Sequence, residues 1–549
     1  MKLIFTIILG SIIYIGNCQS IEQGKKQVYY DRLVSAKQTF QQVIQQYPEN
    51  GEAWFNLAKV YIMLDEPQQA NDTLLTAPEA VKKDPFFKIA EGINFIQKNS
   101  ADKTAAYFDD IMSMMKKKNE NLAAAIAWVQ INVPGGNPEY AIKILTKAIK
   151  KNKHNPELYI LLGDAWRKRI NGTEAFKAYQ NAINKDKNHA AAYYRIGQIF
   201  LSQKNKEVYS DYFRKAVAAD PEYSPAWYKL YVYEFSRNPA KSLEYYTKYT
   251  QNADQAIQME YDIIDLYYLN QEYNKAIDKA NALINSQQKN TKPRIYKLIA
   301  YSYAGKNDTS AALAAMKQYF ANEQDSNIIA KDYEAMSTYY LSLPEQDSLA
   351  ADYLAKAAAV EKDSVARFDD YKKLADMAKA RKDYEAQATW LEKFCEGNPA
   401  ATNLDLFYWG IANYRIENYT KADTVFGIYS EKYPDQSFGY YWQAKSKALQ
   451  DTSMSAGLAV PVYEKLIEVL DKNTSDENYK KWITEAYSYL AAYAANSQKD
   501  YIQAISYFEK VLTIDPENEM AKKYIDILDK QVKRAAGTDN SSIQDTNSE

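Results

Sequence analysis

Histidine and cysteine are almost missing, with two of each among 549 residues. A histidine metal site or a histidine-based triad needs several such side chains to converge. His154 and His189 both fall between helical segments and read as solvated turn residues. Cys18 lies in an apolar leader and Cys395 follows Phe394 on an apolar-periodic helix, so no internal disulfide staples the mature chain. Cys395 reads as a small hydrophobe rather than a nucleophile. Glycine and proline, at 17 and 16 residues, are each about 3% of the chain against a usual roughly 7% and 5%. So few turn formers in so long a chain mean helices joined by short loops. Gly135-Gly136 is an isolated pair with no strand before it, and no phosphate-binding glycine fingerprint occurs. Charge of one sign is lacking too: 68 Lys+Arg stand against 70 Asp+Glu, so no global field selects nucleic acid. The carboxylates lie on helices as solvated faces, and no pair of them can be singled out for acid–base work. The reading is therefore a non-enzyme with no catalytic residues, no cofactor and no metal.

What is present in quantity is tyrosine, at 49 residues, and a repeat. Pro156 to Tyr223 divides into two runs of 34 residues, the period of a helical hairpin. Tyr159, Leu162, Gly163 and Trp166 in the first run match Tyr193, Ile196, Gly197 and Phe200 in the second, and Tyr179 and Ala182 match Phe213 and Ala216. This pattern resembles the tetratricopeptide repeat family. The resemblance implies an all-α, right-handed superhelical solenoid of about 14 stacked helix-turn-helix repeats with a C-terminal capping helix. It also puts Gly92, Gly163, Gly197 and Gly410 where paired helices approach most closely. One hairpin cannot bury its apolar stripe alone, so the repeats must stack along most of the chain. The expected organisation is a signal segment at 1–18, an array at 19–326, a degenerate repeat at 327–366, a second array at 367–516, a capping helix at 517–536 and a disordered tail at 537–549. An insertion from Asp451 to Pro461 interrupts the thirteenth repeat.

In the family resembled, the first helix of each hairpin lines a concave groove that holds peptides. Carrying that geometry over places Asp164, Arg167, Lys168, Tyr194, Gln198, Tyr228 and Val232 toward a partner. Some members clamp a terminal carboxylate with Lys and Asn at set positions. Ile160 and Asp164, then Tyr194 and Gln198, stand there instead, so that clamp is absent. Most of the aromatic residues fall at packing positions. A basic run, including Lys143, Lys147, Lys150, Lys151 and Arg169, crowds the fourth and fifth repeats and reads as a solvated face or a contact for an acidic partner.

The leader MKLIFTIILGSIIYIGNCQS has one lysine, an apolar run from Leu3 to Ile15, then small and polar residues. That is the form of a secretory signal. Cleavage after Cys18 would leave Gln19 first; alternatively Cys18 is the lipidated residue, since Ile15-Gly16-Asn17-Cys18 partly resembles a bacterial lipobox from which Asn17 departs. Leader and repeats together resemble exported proteins of Bacteroidota. The function expected is a protein–protein scaffold of the cell envelope, periplasmic or attached to the outer membrane, whose partner is another protein or peptide. Membrane association would come through a lipid anchor or that partner. The alternative is a surface glycan-binding outer-membrane lipoprotein on a helical scaffold. A repeat-built hydrolase would need a dyad that the chain does not offer.

Overall fold

The computed structural model describes residues 20–114, 120–472, 474–475 and 478–535. The leader with Cys18 and the tail at 537–549 lie outside the described residues. Twenty-nine α-helices run through the described residues, joined by turns and short 3₁₀ or π segments, with no strand among them. None is long and apolar enough to cross a membrane. The chain divides into two compact units, Met1–Lys306 and Asn307–Glu549. The first holds eight helical hairpins and the helix Arg294–Gly305. The second holds the helix Thr309–Asn322, five hairpins and a terminal helix, Glu519–Ala535. The two halves of the ninth expected hairpin therefore fall on either side of the boundary.

Many of the hairpins share the same few devices. The fifth pairs Pro156–Lys168 with Gly172–Lys185, and the sixth pairs Ala190–Ser202 with Lys206–Ala219. Between the paired helices one residue turns left-handed, at Ile170 and Lys204 here and at Asp65, Lys382 and Glu417 elsewhere. The next residue caps the second helix: the side chains of Asn171, Asn205, Asp383 and Asn418 accept the free amide three residues on. Across five of the hairpins a glycine meets an aromatic ring sixteen residues later. Phe40 covers Gly24, Phe108 covers Gly92, Tyr179 covers Gly163, Phe213 covers Gly197 and Phe426 covers Gly410. A methyl on Gly163 would sit 2.3 Å from the Tyr179 ring, so only glycine lets the ring lie flat on the facing helix. All five rings are fully buried.

The segment at 327–366 shows little of the repeat pattern in its sequence. It nevertheless forms a hairpin, Ala330–Leu341 with Asp347–Val360, whose Met336, Leu354, Ala357 and Ala358 are buried. At the C-terminus, Glu519–Ala535 lays Ala521 and Leu528 on the preceding helix, Tyr501–Ile514, and Tyr524 stacks on Phe508 at 5.5 Å. Its other residues are mostly charged, which suits a helix with only one neighbour.

One expectation fails in the core. His189 is not a solvated turn residue but is buried, at 8% exposure, with Tyr29 edge-on at 5.7 Å. The cause is a contact spanning most of the first unit, described next. His154 is exposed.

Candidate functional site

The first hairpin pairs Ile21–Tyr29 with Leu33–Gln46, and its turn reaches across the first unit to the sixth and seventh repeats and the loops that follow them. Its second helix starts at Arg32, whose side chain makes no cap. The cap comes from Asp254, in the loop between the seventh and eighth repeats. One carboxylate oxygen accepts the amides of Val34 at 2.7 Å and Ser35 at 3.3 Å, and the other accepts the Ser35 hydroxyl. Arg32 in turn donates to the carbonyl of Asn252 at 2.7 Å. Tyr30 donates to Asp220 at 2.9 Å and accepts at its carbonyl from the Ser224 hydroxyl at 2.6 Å. Tyr29 packs edge-on against Tyr223 at 5.2 Å and takes the Ala191 amide at 3.4 Å.

Beside this contact the first unit has a half-open cavity. One part, about 370 Å³, is lined by Asp31, Lys59, Trp128, Asp164, Tyr194, Arg195 and Gln198 among others. A second, about 320 Å³, adds Lys25, Glu52, Phe55 and Asn56 and shares Tyr29, Lys59, Trp128 and Glu157 with the first. The walls are first helices of successive hairpins, Gly51–Met63, Pro85–Lys98, Glu120–Asn132, Pro156–Lys168 and Ala190–Ser202.

The polar groups inside are mostly tied to one another. Asp164 accepts from the Tyr179 hydroxyl at 2.7 Å and pairs with Arg195 at 3.1 Å. That carboxylate holds the Arg195 guanidinium above its ordinary pKa against the cost of burial. The Gln198 carbonyl oxygen accepts from Arg167 at 2.8 Å and from Arg195 at 3.3 Å. Lys25 pairs with Glu52. Lys59 is different: it has no ion pair among the described residues, and its ammonium lies 5.3 Å from the Trp128 ring centre. Enclosure pushes its pKa down, and Glu157 across the cavity opposes the shift. A cation over an aromatic face with no close carboxylate is open to an anionic group from outside.

The sequence-derived groove residues divide accordingly. Asp164, Tyr194 and Gln198 come together on the cavity wall, with Arg167 joined to them through Gln198. Lys168 is exposed outside the cavity lining. Tyr228 is 39% exposed and packs on Tyr231 and Tyr249, while Val232 lines a separate hollow of about 220 Å³ with Tyr209, Lys229 and Tyr233. Sequence periodicity missed Lys59, Trp128, Arg195 and the whole N-terminal turn. The available signal was Arg32, standing where other hairpins place an Asn or Asp cap. In the basic run, Arg169 pairs with Glu139 at 2.6 Å, and Lys147 and Lys150 border an outer hollow of about 560 Å³ with Asp109 and Glu120. Cys395, in the second unit, is half-buried, and burial pushes its thiol up to about 12, so it holds little of the reactive thiolate.

Family models described as tetratricopeptide repeat match residues 30–88, and again 190–223 and 486–518. Among solved structures, the chain is similar to the C-terminal part of a TPR repeat-containing protein from Cytophaga hutchinsonii. The two share 27% identity over 48% of this chain and 98% of that one, with a TM-score of 0.29. It is also similar to a tetratricopeptide repeat protein from Parabacteroides merdae, at 16% identity over 46% and 96% of the two chains and a TM-score of 0.27. A third similar structure is YrrB, described as a TPR protein with an unusual peptide-binding site, at 20% identity over 34% and 95% and a TM-score of 0.30. No curated protein matches the chain significantly.

Proposed function

We propose that this chain, built from tetratricopeptide repeats, is a non-catalytic scaffold of the bacterial cell envelope. It holds a segment of another protein in the cavity of its first unit. Repeats of this kind generally mediate contacts between proteins. The observation that carries the reading is the cavity wall, where Lys59 and Trp128 face Tyr194 and Gln198 on helices fixed by their neighbours. Rigid aromatic side chains beside a few polar groups suit polypeptide recognition: they bury large area at low entropic cost, and amides and cations fix the orientation. The apolar leader supports an exported location.

The test is a photo-crosslinking amino acid placed at Gln198 in the full chain, expressed in a native-type host and activated in intact cells. A discrete protein adduct, absent when the crosslinker sits at the outward-facing Lys168, is the expected result. Adducts only to lipid or polysaccharide, or none above the Lys168 control, would overturn it.

A further inference from the structure

Three positions change character between the fifth and seventh repeats. At the 34-residue spacing Arg167 corresponds to Leu201, Gln198 to Val232 and Ala175 to Tyr209. The first two changes leave apolar side chains exposed, and the third puts a ring where the fifth hairpin buries a methyl. With Phe213 and Tyr233 these residues form the hollow of about 220 Å³ between the sixth and seventh repeats. Tyr209 packs on Phe213 at 5.8 Å and edge-on against Tyr233 at 5.7 Å, so its walls are rings with little rotational freedom.

The charge around this hollow is of one sign. Lys206, Lys229 and Arg237 border it, and no carboxylate does. Glu207 and Glu234 adjoin the lining in sequence but do not reach it, and Glu234 is buried. None of the three cations has an ion pair among the described residues. Arg237 is exposed and lies 4.5 Å from the Tyr233 ring centre, which holds the guanidinium beside the hollow without neutralising it. Elsewhere in the first unit cations on the hairpins face carboxylates, as Arg169 faces Glu139, Lys215 faces Asp211 and Lys279 faces Glu260. Three like charges around one hollow repel one another, and an anion from outside relieves that repulsion.

The combination of walls and charge selects the occupant. A free phosphate would use the cations and leave the apolar walls wet. A purely apolar segment would fill the hollow and leave three charges beside it without counter-ions. A polypeptide with one apolar side chain between carboxylates satisfies both, the side chain among the rings and the carboxylates on Lys206, Lys229 and Arg237. We propose that the hollow between the sixth and seventh repeats is a docking site for an acidic polypeptide segment, which inserts one apolar side chain between flanking carboxylates. The site is separate from the cavity walled by Lys59 and Trp128 and does not rest on what that cavity holds.

The test is fluorescence anisotropy on the full chain at low ionic strength, with a labelled, amidated peptide of one leucine between two pairs of glutamates. Saturable binding is expected, and Lys229→Gln with Arg237→Gln should weaken it about fivefold. Lys168→Gln with Lys185→Gln removes the same charge from exposed positions outside the hollow and should leave binding unchanged. Val232→Ser should weaken the leucine peptide but not the poorer binding of a peptide with serine in its place. No saturable binding, or equal loss in the two double variants, would overturn the site. Equal weakening of both peptides by Val232→Ser would do the same, since the hollow would then contribute nothing. Phosphatidylglycerol vesicles bound through Lys229 and Arg237 in place of the peptide would assign the patch to a lipid surface and sink the proposal. So would a concentration-dependent mass in light scattering that Lys229→Gln with Arg237→Gln abolishes, which would make a second copy the occupant.

Discussion

Ile170 is a β-branched residue held at a φ of 57° with 94% of its surface exposed. The left-handed region costs an L-residue roughly 1–2 kcal/mol, and asparagine tolerates it better because its short side chain can bond its own backbone. Nothing buried is lost on replacement, so Ile170→Asn should stabilise the first unit by about 0.5–1 kcal/mol. A higher urea midpoint with an unchanged slope is expected, and an unchanged or lower midpoint would refute the argument. Gly163 is the opposite case. Its missing side chain is occupied space, since the Tyr179 ring fills the place of a methyl. Gly163→Leu should cost roughly 1–3 kcal/mol through displacement of that ring, and thermal melting would show it. Gly163 was legible in the sequence because it recurs as Gly197 one repeat later, at the position where the resembled family brings paired helices closest. The strain at Ile170 was not, because only the backbone geometry shows that the turn position needs a positive φ.

Individual helices depend on how their ends are satisfied, and in the second unit Asn403–Arg415 shows how this couples to pH. The Thr402 hydroxyl accepts the Asp405 amide, and the Asp405 carboxylate accepts from the Thr402 amide at 3.0 Å and from Lys372 at 2.7 Å. Burial alone would raise the Asp405 pKa, but these donors outweigh it and hold the carboxyl below its ordinary 3.8. A carboxyl more acidic folded than unfolded contributes stability above its unfolded pKa, and that contribution fades as pH falls through the lower folded value. Asp405→Asn should therefore cost about 1–3 kcal/mol at pH 7. The gap to the native protein should narrow only below about pH 4. A gap that stays constant down to pH 2 would mean that the carboxylate charge is not what matters. The same logic makes Arg32 informative: a helix start without its own cap has borrowed one, and the lender, Asp254, lies 220 residues away.

At the scale of the whole molecule, a repeat array leaves two end faces, and the chain covers the last with Glu519–Ala535. Beneath it Ala504, Phe508 and Val511 are buried. Ending the chain after Asn518 should uncover that apolar face and drive self-association, seen as a concentration-dependent mass in light scattering. A truncated protein that stays monomeric and melts as before would show that the helix is dispensable. The first hairpin does something different: its turn packs back on the sixth and seventh repeats beside the cavity of the first unit. One end is capped by an added helix and the other is engaged by its own array.

The sequence by itself determined the helices and their pairing, because these follow from local spacing, 34 residues per hairpin with apolar residues recurring at matched positions. It also marked Asp164, Tyr194 and Gln198 as facing one surface, since equivalent positions in stacked repeats must do so. Only the tertiary structure decided that this surface lines a half-open cavity, that His189 is buried and that Lys59 has no ion pair among the described residues. Those outcomes depend on how far the first unit curves, a sum of small rotations between neighbouring hairpins. No single repeat encodes that sum, and it becomes visible only where Tyr29 and Tyr30 meet His189, Asp220 and Tyr223.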